Sequence, residues 1–154
     1  MRSNRDAILQ AIFTLLQNAA YPFTIVTSSR DMTHWDQVVS DAQPALFLQQ
    51  GPQEATQEGG GQMALNRWLL LATAWVYFRR NTVTVASTTI SQVQDAIDDA
   101  LLPVPGQRQT LGGLVTNVRI KSFGDQEGVL DQQGGQALVW AELEVLVNDR
   151  QGPV

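Results

Sequence analysis

The chain has 154 residues, with 10 Lys and Arg against 15 Asp and Glu, a formal net charge of -5, no Cys, one His and 44% hydrophobic residues. A chain of this length buries about two-thirds of the surface that its unfolded form exposes, so it needs no disulfide or metal staple to fold. The missing Cys and single His exclude disulfide frameworks, thiolate zinc sites and His-rich metal clusters. The single Lys, Lys121, removes Walker-type phosphate binding, and scattered Arg in an acidic background argues against a surface that grips nucleic acid.

Residues 7 to 20 are apolar but interrupted by Gln10, Thr14, Gln17 and Asn18, which reads as an amphipathic helix and not as a signal peptide. Ile8, Ile12, Leu15, Leu16 and Ala19 fall on one helical stripe, with Ser3 or Asn4 as N-cap and Asp6 in the first turn, so a helix is expected over about residues 4 to 20. Pro22 stops it. The β-branched stretch 23 to 27 is expected as the first strand, and Pro44 opens a second through Gln49. Residues 51 to 62, rich in Gly and Gln with one Ala, are expected as a mobile loop. Residues 65 to 80 are apolar in both registers: Leu70, Ala72, Ala74, Val76 and Phe78 on one, Leu69, Leu71, Thr73, Trp75 and Tyr77 on the other. A long strand is expected there, with a buried helix as the competing reading. The most apolar part, 68 to 78, is about half the roughly 20 residues that a membrane-spanning helix requires.

Thr88 and Thr89 offer a cap for a second helix through Leu102, with Ile90, Val93, Ile97, Ala100 and Leu101 on one face and Gln92, Asp95 and Asp99 on the other. A strand over 111 to 123, a loop over 124 to 135 and a last strand over 137 to 147 complete the chain. In the last strand Val139, Ala141, Leu143, Val145 and Val147 oppose Leu138, Trp140, Glu142, Glu144 and Leu146. The order α-β-β-β-α-β-β favours an α+β fold: one domain with a mixed or antiparallel sheet of about five strands and two helices on one face. The far face, carrying Leu71, Trp75, Tyr77, Trp140 and Leu146, would expose more apolar area than a monomer leaves wet, so burial by another copy or another protein is expected.

Little in the chain looks catalytic. His34 lies between Asp31 and Asp36, with Ser28, Ser29 and Ser40 nearby, but none of these serines sits in a Gly-x-Ser-x-Gly elbow. Glu142 and Glu144 share a strand face, where cross-strand pairing with Arg119 and Lys121 explains them better than a paired-carboxylate hydrolase. The glycines at 59 to 61 and at 112 to 113 neither follow a strand and open a helix nor carry the lysine of a phosphate loop. No cofactor and no metal is expected. Asp95, Asp98 and Asp99 read as a solvated acidic face or as a surface that repels an anion. Trp35 is a loop anchor or a partner contact.

The stretch Thr110-Leu-Gly-Gly-Leu-Val-Thr-Asn-Val-Arg-Ile, preceded by Ile97-Asp-Asp-Ala-Leu-Leu-Pro and followed by Gln136-Ala-Leu-Val-Trp-Ala-Glu-Leu-Glu-Val-Leu-Val, resembles the tail terminator proteins of long-tailed bacteriophages, the lambda gpU type. The N-terminal helix, the Phe-Thr-Ile-Val segment, the segment from Gln43 to Leu48 and the 68 to 78 strand agree with that pattern; loops 51 to 62 and 124 to 135 have no match. The resemblance implies a small subunit that forms a hexameric ring on the completed tail tube, stops tube polymerisation and presents the surface where the head docks. It implies as partners other copies of itself, the tube protein and the head-tail connector, with DNA passing through unbound, and a place in the virion after assembly in the host cytoplasm. Asp95 and Asp99, if turned to the ring lumen, would keep the genome from sticking. A head-completion or neck protein is the nearest alternative. A small hydrolase using His34, or a free-standing binding module, comes from other classes.

Overall fold

The computed structural model describes residues 5–34, 37–38, 42–57, 66–79, 86–102, 104, 106–126 and 136–148. In chain order these form α1 (Arg5–Gln17), β1 (Thr27–Ser29), β2 (Ala45–Gln57), β3 (Asn66–Arg79), α2 (Ala86–Leu101), β4 (Asn117–Gln126) and β5 (Gln136–Asn148). The strands make one five-stranded sheet in the order β1-β2-β3-β5-β4, with β1 parallel to β2 and every other pair antiparallel. The expected α+β architecture and element order are both observed.

Each helix is held by its apolar stripe. Ile8, Leu9, Ile12, Phe13 and Leu16 of α1 and Ile90, Val93, Ala96, Ile97 and Leu101 of α2 are buried, and together they cover one face of the sheet. That face presents Leu46 and Leu48 from β2, Leu70 to Phe78 in alternation from β3, Val118 from β4, and Val139 to Val147 in alternation from β5. The end of α1 is tied by the Tyr21 hydroxyl, which donates at 2.7 Å to the Leu16 carbonyl, which also accepts from the Ala19 amide at 3.3 Å. Tyr21, Phe23 and Phe78 then stack in sequence, with centroid separations of 6.1 and 5.3 Å.

β3 is a strand and not a helix, and its position explains the doubled apolar pattern. It lies at the centre of the sheet between β2 and β5; one register, Leu70 to Phe78, packs beneath the helices, and the other is buried at Tyr77 and half-buried from Leu69 to Trp75. Four expectations are corrected. The first strand is short, starting at Thr27 instead of residue 23, because its partner β2 begins at Ala45, opposite Thr27; Phe23 and Ile25 pack on the core without a ladder. Residues 51–57 belong to β2 and not to a loop, since Gly51 and Pro52 mark a bulge between Gln50 and Gln53. A Cβ on Gly51 would meet the Leu71 carbonyl oxygen at 2.9 Å, so glycine lets the two strands approach there.

The third correction is at β4, which starts at Asn117, after a turn in which Leu111, Gly112 and Gly113 have φ of 52°, 71° and 96°. It also runs on to Gln126. The fourth concerns α2, which starts at Ala86, so Thr88 and Thr89 lie inside its first turn instead of capping it. Residues 58 to 62 and 127 to 135 of the expected loops and residues 65 and 80 at the ends of the expected long strand, with Ser3, Asn4, Trp35, Asp36 and Ser40, lie outside the described residues.

Candidate assembly surface

The sheet face turned away from the helices divides into two zones. At one end Ala45, Phe47, Tyr77 and Leu138 are buried beneath the segment between β1 and β2, which contributes Val38, Met32 and Ala42. The Tyr77 hydroxyl donates to the Thr33 carbonyl at 3.2 Å and lies 3.9 Å from Met32 Sδ, fastening that segment to the sheet. Burial pushes the Tyr77 phenol above its ordinary pKa, because ionisation there would leave a charge without water.

The second zone begins where this cover ends. Trp75 and Trp140 are direct cross-strand partners on β3 and β5, with ring centroids 5.4 Å apart and planes inclined at 38°. Both are half-buried. The Trp75 indole donates to Gln49 Oε1 at 3.0 Å, so its polar edge is satisfied while much of its ring has no cover. Trp140 lies over Gly124 of β4, where a Cβ would collide with the indole ring. Beyond the pair come Leu71 and Leu146, also half-buried, and the two glutamates. Arg119 Nε lies 3.4 Å from Glu144 Oε2, as expected of a cross-strand pair. Lys121 does not take the corresponding place beside Glu142. A bulge between Ile120 and Ser122 moves it out of register, and the Ser122 hydroxyl donates to Glu142 Oε2 at 3.0 Å instead.

Leu71, Trp75, Trp140 and Leu146 thus fall on the face read from the sequence. Tyr77 shares that face but has 0% exposure, so it has no surface to offer a partner. The sequence reading missed the burial of Phe47, Leu138 and Val38. It places Phe47 in the second strand and Leu138 on the far face but does not foresee their cover, because the covering segment has too few apolar residues to register as a stripe.

Asp95 and Asp99 are exposed on α2, beside Ala20 and Pro22, where with Gln92 and Ala96 they line a shallow open groove. His34 is exposed in the segment after β1, and its carbonyl accepts from Gln37 N at 2.9 Å. The neighbouring serines are engaged locally: Gln17 Nε2 donates to Ser28 Oγ, and the Asp31 amide donates to Ser29 Oγ, both at 2.9 Å. Among the described residues no three His, Asp or Glu side chains converge as metal ligands do. No described helix is long and apolar enough to cross a membrane.

No protein-family model and no curated protein sequence matches this chain. Among solved structures the chain is similar to a chain from the virion of a native gene transfer agent (GTA) particle, with 11% sequence identity, a TM-score of 0.47, and coverage of 92% of this chain and 94% of that chain.

Proposed function

We propose that this protein is a structural subunit of a phage-type virion, of the tail-terminator kind: it caps the completed tail tube as a ring, stops tube polymerisation and provides the surface to which the head docks. The observation that carries this reading is the half-covered sheet face. A monomer usually shields a tryptophan pair at the centre of its sheet, and here, among the described residues, the cover stops at Tyr77 and leaves Trp75, Trp140, Leu71 and Leu146 only half-buried. An aromatic pair, with the Trp75 polar edge satisfied and the Arg119–Glu144 ion pair at its flank, has the make-up of an interface core with its rim. The resemblance of residues 110 to 120 and 136 to 147 to tail terminators supplies the class of assembly.

In this reading the protein performs no catalysis, and its work is to present surfaces. The exposed carboxylates of Asp95 and Asp99 face the ring lumen, where fixed negative charge repels the passing genome by the reverse of phosphate neutralisation. Mixing the purified protein with tail-tube protein and, separately, with portal or adaptor protein tests the class. Capture by tube ends supports termination. Capture by the portal side alone moves the assignment to a neck protein. An Asp95→Asn/Asp99→Asn variant is expected to form the same assemblies yet to lower infectivity; full infectivity would remove the lumen assignment. A His34→Ala variant is expected to retain full activity in assembly, whereas a loss with the fold intact would point to chemistry at the imidazole.

A further inference from the structure

We infer that copies of this chain join head to tail through the two edges of the sheet, the outer edge of β4 in one copy lying along the β1 edge of the next. The inference rests on the reading of the protein as a ring-forming subunit and names the contact that closes the ring. A strand edge presents unpaired backbone donors and acceptors, and monomers keep such edges short or covered. β4 is 10 residues long and, among the described residues, pairs only with β5. Among the described residues the backbone cover on its outer side is the single bond from Val118 N to the Gln109 carbonyl, at its first turn of chain.

Side chains at the two edges match. Of the four large hydrophobic residues exposed among those described, Val104 and Leu114 lie between α2 and β4, while Val26 at 59% immediately precedes β1 and Phe123 at 37% is on β4. An edge contact withdraws both from water at once. One charge pair is complementary: Lys121 is exposed on β4, where Arg119 is already held by Glu144 and Asp125 lies further along, and exposed Asp31 follows β1 next to Arg30, which is held by Asp6. Lysine on an edge strand often serves to prevent pairing. Here an exposed phenylalanine stands two residues further on, and the partner edge brings the carboxylate that neutralises the lysine. The bulge at Lys121 leaves a short straight run, 122 to 126, and β1 is itself only three residues long. The two patches differ from one another, so the contact is heterologous and repeats until the rotation closes a ring. Joining copies by their edges leaves the Trp75 and Trp140 face free to seat on the tube.

Sedimentation velocity over a concentration series tests the inference, using Lys121→Glu, Asp31→Lys, the double variant and Phe123→Ser, with melting temperature as the control for fold. Each charge reversal alone is expected to weaken self-association by about tenfold, and the double variant to recover it, because the reversed charges meet again across the edge. Phe123→Ser is expected to weaken association at low and high salt alike. Wild-type rings matched by all four variants would overturn the edge contact while leaving the ring. A wild-type chain that stays monomeric at every concentration and on tube ends would overturn both.

Discussion

Tyr77 is the residue on which the shape of the candidate surface turns. Its hydroxyl bonds to Thr33 and its buried ring lies 5.6 Å from Phe47, so it decides how far the segment between β1 and β2 covers the far face. Tyr77→Phe keeps the ring and removes the bond, and is expected to cost about 1 kcal/mol in denaturant unfolding and to loosen residues 30 to 34 in hydrogen exchange. The phenol also predicts a pH dependence. Its pKa, like that of Tyr21, is raised by burial, so its contribution is fully present below about pH 10 and is lost as pH rises from there towards the folded value. Stability is therefore expected to fall above about pH 10, by at most about 1.4 kcal/mol per pH unit for each tyrosine, and Tyr77→Phe should flatten that fall. Gly124 is the second decisive residue, because any side chain there must displace the Trp140 indole. Gly124→Ala is expected to destabilise by about 1 to 3 kcal/mol and to shift tryptophan emission. This position was not legible as a packing site in the sequence, where Gly124 marked the start of a loop.

At the scale of elements, the helices and β5 were legible because their patterns are long and their faces clean. Leu16 and Ile97 are 0% exposed at the centres of their stripes, and Leu16→Ala or Ile97→Ala is expected to cost about 2 to 5 kcal/mol in thermal or denaturant unfolding. β3 was ambiguous in the sequence because both registers are apolar, and only its neighbours β2 and β5 resolve it. The shorter and more polar elements were misread for local reasons. Gly51 and Pro52 carry the composition of a loop yet sit in a bulge, since a strand tolerates both where its ladder is already interrupted. The segment 23 to 26 has strand composition but no strand beside it. Strand propensity describes fitness for a paired surface, and pairing is a property of the partner.

For the whole molecule, the sequence marked Leu71, Trp75, Trp140 and Leu146 as one apolar face, and alternation was enough to do so. How much of that face stays uncovered was not legible, since the covering segment contacts it through Met32, Val38 and Ala42, which form no periodic pattern. The resulting surface is smaller than alternation implied and is centred on the tryptophan pair. Leu71→Glu places a carboxylate opposite Glu144 at this surface, and is expected to lower binding to tube protein by about tenfold or more in pull-down, with a modest fall in melting temperature from the like-charge cross-strand pair. The most direct measurement for the account is mass in solution by light scattering across a concentration series, with and without purified tail-tube protein. A closed ring of about six subunits, or a monomer that becomes one only on tube ends, is the predicted result. A monomer at every concentration, indifferent to the tube, would contradict it.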